Sequence, residues 1–85
     1  MLLAVDVGNT QTLFGLFEGE TLRADWRIAT HKHATSDEVG VMLRALFEQG
    51  GIDAGQVRGV IVSSVVPDLN GVMAEMTRRG VDSAN

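Results

Sequence analysis

Apolar and polar positions alternate over residues 21–29. Leu22, Ala24, Trp26 and Ile28 fall on one face, and Thr21, Arg23, Asp25 and Arg27 on the other. That period of two predicts a strand half-buried on one side. Residues 2–7, Leu-Leu-Ala-Val-Asp-Val, are a short apolar run with one carboxylate near its end, closed by Gly8-Asn9. Such a run followed by turn residues predicts a strand and then a turn. Residues 12–17 predict a second strand, and Glu18-Gly19-Glu20 a hairpin-type connection to the third. Three consecutive strands with tight links predict an antiparallel meander.

The period then changes. Val39, Met42, Leu43, Leu46 and Phe47 are spaced i, i+3, i+4, i+7 and i+8, which is one helical face. Thr35 and Glu38 have the spacing of a capping box, and Asp37 and Glu38 place negative charge at the positive end of the helix dipole. Gly50-Gly51 ends the helix by supplying a left-handed residue. Val57 to Val66 predicts a fourth strand, β-branched and apolar on both faces around Ser63 and Ser64. Such a strand is expected inside a sheet and not at its edge. Pro67-Asp68 opens a second helix, with Leu69, Val72, Met73 and Met76 as its apolar stripe. The predicted order is β-β-β-α-β-α, without internal repeat. Residues 80–85 show no period and are expected to be a frayed or truncated tail.

Composition narrows what this pattern can do. The 85 residues are 45% hydrophobic, too apolar for disorder. Without cysteine there is no disulfide framework, thiolate zinc site or cysteine nucleophile. A net charge of −4 argues against nucleic-acid binding, which needs a basic stripe. No run approaches the roughly 20 apolar residues of a membrane span, and the N-terminus lacks the basic region of a secretory signal. A cytoplasmic home is therefore expected. A chain this short buries only about 60–65% of its unfolded surface, and its aromatics are just Phe14, Phe17, Trp26 and Phe47. Either a partner surface helps the core, or the chain is part of something larger.

Two segments carry candidate chemistry. In Asp6-Val7-Gly8-Asn9-Thr10, with Thr12 beyond, an aspartate ends a strand and a glycine follows two residues later. Consecutive amides in a tight turn form an anion-binding nest that glycine lets a phosphate approach. Asn9, Thr10 and Thr12 add side-chain donors. Asp6 suits Mg²⁺ or its waters, which neutralise phosphate charge. The competing reading is a plain hairpin turn with a hydrophilic strand end. A carboxylate in an otherwise apolar strand favours the functional reading, since burying it unpaired costs several kcal/mol, order of magnitude. The second segment, Ser63-Ser64-Val65-Val66-Pro67, lies where ligands bind in open α/β sheets. By itself it is read more simply as small side chains that allow close packing. His31-Lys32-His33 has no evident third metal ligand and reads as a solvated loop. Arg27 is expected to face solvent or to pair across strands, with Asp25 or a neighbour. Arg78-Arg79 complement a helix dipole, and Met42, Met73 and Met76 fill core.

Four motifs occur in a fixed order: Asp6-Val-Gly-Asn-Thr, Trp26-Arg27-Ile28-Ala29-Thr30, Thr35-Ser-Asp-Glu38 and Ser63-Ser-Val-Val-Pro67. Together they resemble the N-terminal part of type III pantothenate kinase, over roughly residues 1–79. The resemblance implies the N-terminal half of an actin-like, ribonuclease H-like α/β kinase fold with a mixed sheet. It implies transfer of the ATP γ-phosphoryl to pantothenate, giving 4'-phosphopantothenate, the first step of coenzyme A synthesis. It also implies Mg²⁺, a monovalent cation (K⁺ or NH₄⁺) and a homodimer. Asp6, Gly8, Asn9, Thr10 and Thr12 match the family's first phosphate motif, with Asp6 on the metal. Ser63, Ser64 and Pro67 match a segment lining the cleft. The family's catalytic base, in a Gly-Ala-Asp-Arg segment, and its second Asp-x-Gly-Thr loop have no match here, nor does its adenosine-binding segment. The chain is thus expected to be a truncated first half, inactive alone. Two alternatives remain: the N-terminal lobe of another actin-like kinase such as a sugar kinase, and a non-catalytic module that dimerises through an open sheet edge.

Overall fold

The computed structural model describes residues 1–67, 69–72 and 75. Four strands, β1 (Leu2–Val7), β2 (Gln11–Glu18), β3 (Thr21–Ala29) and β4 (Gly59–Ser64), form one sheet in the order β3-β2-β1-β4. The meander β1-β2-β3 is antiparallel, and β4 returns parallel to β1 after the helix α1 (Ser36–Gln49). Pro67, Leu69–Val72 and Glu75 are helical, which completes the expected β-β-β-α-β-α order. Met73, Met76, Arg78, Arg79 and residues 80–85 lie outside the described residues.

One face of the sheet carries the core. Leu3, Val5 and Val7 of β1 and Phe14 and Leu16 of β2 meet Val39, Leu43 and Phe47 of α1, all at most 3% exposed. Val66 and Leu69 close the same cluster, with Met42 and Val72 packed at its margin. Trp26 of β3 stacks on Phe47 with ring centroids 5.3 Å apart and planes tilted by 34°, within the range of favourable aromatic pairs. Period two on the strands and period 3.6 on the helix therefore converge on a single layer of side chains.

The ends of α1 are closed as its sequence directs. Thr35 accepts a hydrogen bond from the Glu38 amide, and the Glu38 carboxylate accepts from the Thr35 amide and hydroxyl, a complete capping box. At the other end the Gly51 amide donates to the Glu48 carbonyl and the Ile52 amide to that of Phe47. These two bonds make a Schellman motif. Gly51, at φ +72°, is its left-handed residue, whereas Gly50 stays right-handed.

Two expectations are corrected. Leu22 does not share the buried face with Ala24. Leu16 pairs with Ala24 but Phe17 with Leu22, so Arg23 is an extra residue and β3 bulges there. A bulge shifts alternation by one residue, so Leu22 turns to the opposite face beside Phe17, 49% exposed. The fourth strand is shorter than Val57–Val66, and among the described residues it is an edge strand. Its apolar composition therefore does not produce burial: Ile61 is 59% exposed and Val62 36%.

Two measurements check this account. Phe47→Ala should cost about 3–5 kcal/mol of unfolding free energy, the usual range for removing a buried aromatic ring, read by urea denaturation. The hydrogen bond from the Thr35 backbone, then that from its hydroxyl, hold the Glu38 carboxyl below its ordinary range. A depressed carboxyl contributes stability above its unfolded pKa and loses it as pH falls through the folded one. The melting temperature of Glu38→Ala should therefore lie below that of the parent at pH 7, and the gap should close in acid below the carboxylate range.

Candidate functional site

The candidate residues gather at the C-terminal ends of the two parallel strands, where open α/β sheets bind ligands. Asp6 is opposite Ser63 of β4 on one side and Leu13 of β2 on the other, and Leu13 is opposite Arg27 of β3. Ser63, Asp6, Leu13 and Arg27 thus form one row across the sheet, on the face away from α1. An open trough of about 500 Å³ runs along that face, with Asp6, Leu13, Phe17, Leu22, Arg27 and Ile61 among its lining residues.

Asp6 is exposed, which corrects the idea that its apolar strand would bury it. Strand alternation places Val5 and Val7 in the core and Asp6 in the trough, where the carboxylate stays hydrated. Asp6 and Arg27 make no ion pair among the described residues; the recorded pair, Arg23 with Glu18 at 3.3 Å, is exposed and at the far end of the hairpin. With 4.7–4.9 Å between strands, Asp6 and Arg27 stand roughly 10 Å apart across Leu13.

The turn after β1 is tightly built. The Gly8 amide donates to the Gln11 carbonyl at 2.9 Å, and the Thr30 amide donates to the Thr10 carbonyl at 2.9 Å. The Thr30 hydroxyl donates to the Gly8 carbonyl at 2.8 Å and lies 2.8 Å from the Thr12 hydroxyl. A Cβ on residue 8 would sit 2.9 Å from the Gln11 carbonyl oxygen, so this position needs glycine for the turn itself. Asn9 and Thr10 are exposed at the tip, and among the described residues their amides donate to no protein acceptor.

The predicted site residues therefore separate. Asp6, Asn9, Thr10 and Ser63 are exposed, with Asp6 opposite Ser63 and Asn9 and Thr10 in the turn that follows β1. Gly8 shapes the turn, but its amide is already bonded. Thr12 points into the core at 1% exposure with its hydroxyl on Thr30. Ser64 is turned to the helix side, and its hydroxyl both accepts from the Val66 amide and donates to the Val66 carbonyl at 3.1 Å. Pro67 is exposed at the start of the second helix. Thr30 was missed as a site residue. Its motif, Trp26 to Thr30, marks the resemblance, but nothing local shows that its hydroxyl reaches a carbonyl 22 residues earlier. His31, Lys32 and His33 are exposed in the loop before α1, and no three potential metal ligands cluster among the described residues.

This sheet and element order are those of the N-terminal half of an actin-like α/β fold. Comparison with known proteins then gives the family: the chain belongs to the type III pantothenate kinases, whose family model matches residues 2–84. It is 47% identical over 77 residues to the type III pantothenate kinase of Geobacter sulfurreducens, covering 91% of this chain and 30% of that protein. Identity to the Myxococcus xanthus kinase is 51% over 79 residues, 93% of this chain and 31% of the relative. The Rubrobacter xylanophilus kinase is 55% identical over 71 residues, 84% and 27% respectively. The chain spans about 30% of the length of these curated relatives. Among the described residues no helix is long and apolar enough to cross a membrane.

The turn predicts its own sensitivity. Gly8→Ala should push the Gln11 carbonyl aside at a cost of about 1–3 kcal/mol, typical of an extra carbon forced into close-packed surroundings. Chemical denaturation should show that loss. Gly19→Ala places its methyl in open space at φ +60° and should cost only the backbone strain, about 1 kcal/mol.

Proposed function

We propose that this chain forms one phosphate clamp of a kinase that transfers the ATP γ-phosphoryl group to pantothenate. The observation that carries the proposal is an exposed carboxylate, Asp6, beside a turn; among the described residues that carboxylate has no ion-pair partner and the Asn9 and Thr10 amides have no protein acceptor. Family membership supports ATP use. In this reading Asn9 and Thr10 receive phosphate oxygens through their amides and side-chain donors. Gly8 and Thr12 shape the turn behind them. Ser63 and Pro67 border the same end of the sheet, with Ser64 holding the strand-to-helix corner.

The donor set fits Mg²⁺. That ion is usually held by one or two carboxylates, with waters and phosphate oxygens filling the remaining positions. Asp6 offers one carboxylate with no ion-pair partner among the described residues, and exposed Ser63 stands beside it. Bound there, Mg²⁺ would neutralise charge on the phosphates. Asp6 is the residue that would hold it, directly or through water.

Phosphoryl transfer depends on positioning and charge stabilisation from more than one side. This reading assigns the second clamp and the base for the pantothenate hydroxyl to the remaining length seen in the relatives. It also carries a monovalent cation, a homodimer and a cytoplasmic location.

Two assays test the proposal. The 85 residues alone, given ATP, Mg²⁺, K⁺ and pantothenate, should show no turnover; ordinary turnover would overturn the assignment of the base. In the complete protein, continued to the length of its relatives, Asp6→Asn should lower kcat/KM by about 10²-fold or more, as when one charge-stabilising group is lost. Unchanged activity would refute the role of Asp6.

A further inference from the structure

Hydroxyl chemistry fixes a direction at the base of the turn. A carbonyl oxygen only accepts, so the single hydroxyl proton of Thr30 goes to Gly8, 2.8 Å away. The proton between Thr12 and Thr30, whose oxygens are 2.8 Å apart, must then come from Thr12. The order is Thr12 to Thr30 to the Gly8 carbonyl. Thr12 is 1% exposed and its one proton is used, so it has no donor for a ligand.

The peptide plane carries this constraint outward. In a trans peptide the carbonyl of one residue and the amide of the next point in opposite directions, and the described chain has no cis bond. Turning the Gly8 carbonyl toward Thr30 therefore turns the Asn9 amide away from Thr30. The Thr30 amide holds the Thr10 carbonyl as well, at 2.9 Å. One residue at the end of β3 thus grips the carbonyls on both sides of Asn9.

We propose that Thr30 is a positioning residue for the phosphate turn. Its hydroxyl, oriented by Thr12, pins the Gly8 carbonyl and so aims the Asn9 amide at the bound anion. Thr12 serves this relay and is not a phosphate ligand. The inference rests on the reading of this turn as the phosphate site.

The test is a set of steady-state measurements on the complete protein, with ATP and pantothenate varied separately. Thr30→Val keeps the side-chain shape and removes the hydroxyl. It should lower kcat/KM for ATP about tenfold to a hundredfold, the range for a hydrogen bond whose loss leaves its partner unpaired. The KM for pantothenate should stay unchanged. Thr30→Ser, which restores the hydroxyl, should recover most of the loss. Thr12→Val should cost less than Thr30→Val, because it only disorients the relay.

A Thr30→Val enzyme with parental kinetics would overturn the proposal. So would a Thr30→Ser enzyme as impaired as Thr30→Val, or a Thr12→Val enzyme more impaired than Thr30→Val, which is the pattern of a direct ligand. A Thr30→Val protein that fails to fold by circular dichroism also counts against it, since the hydroxyl would then be needed for folding. Asp6→Asn separates the two levels. If it is harmless, the phosphate reading itself fails. If it is damaging while Thr30→Val is not, only the relay fails.

Discussion

The pleat of β1 is the constraint on which the other elements depend. This strand is paired on both sides, antiparallel to β2 and parallel to β4. A pleated strand sends successive side chains to opposite faces. Leu3, Val5 and Val7 are thereby committed to the core, at 2% exposure or less. Asp6 between them is committed to the other face, one residue before the strand ends. A shift of one residue would bury the carboxylate and expose three apolar side chains. Fully burying each such side chain is worth about 1.5–3 kcal/mol, so the register that builds the core also aims Asp6.

From that register the site follows in two steps. Pairing with β4 sets Ser63 beside Asp6, and pairing through β2 brings the end of β3 under the turn, where Thr30 closes it. The turn is therefore held by tertiary contacts as well as by its own glycine. Among the described residues the amides at its tip donate to no protein acceptor, and the chain carries a net charge of −4. Under the proposed function, an anion at this turn would be held by local dipoles and by a metal at Asp6, against the sign of the whole chain.

Much of this was legible in the residues. The bounds of β1 and β3, the capping box of α1, the glycine pair behind it and the element order all follow from local period and local capping chemistry. Asp6, Asn9 and Thr10 stood out as candidates because a carboxylate at the end of an apolar strand before Gly-Asn is unusual, and all three are exposed. The bulge at Arg23 was not. A strict alternation of Leu22, Ala24, Trp26 and Ile28 continues through it, and the irregularity exists only in the pairing with β2. Nor was the edge position of β4, since the apolarity of both faces is a property of the strand, whereas its place in the order depends on which strands pair with it.

By itself the sequence determined the elements, the buried stripe of α1 and the family, because these depend on periodicity, caps and short motifs carried within a few residues. Only the tertiary structure decided which of the candidate polar groups are available. Thr12 and Thr30 are both threonines at the ends of predicted strands, and Ser63 and Ser64 are adjacent serines. Thr12 and Thr30 are joined in a relay to Gly8, Ser64 is folded onto Val66, and Ser63 stands exposed beside Asp6. A hydroxyl has one proton, and which acceptor takes it is set by neighbours from other strands, which no local pattern specifies.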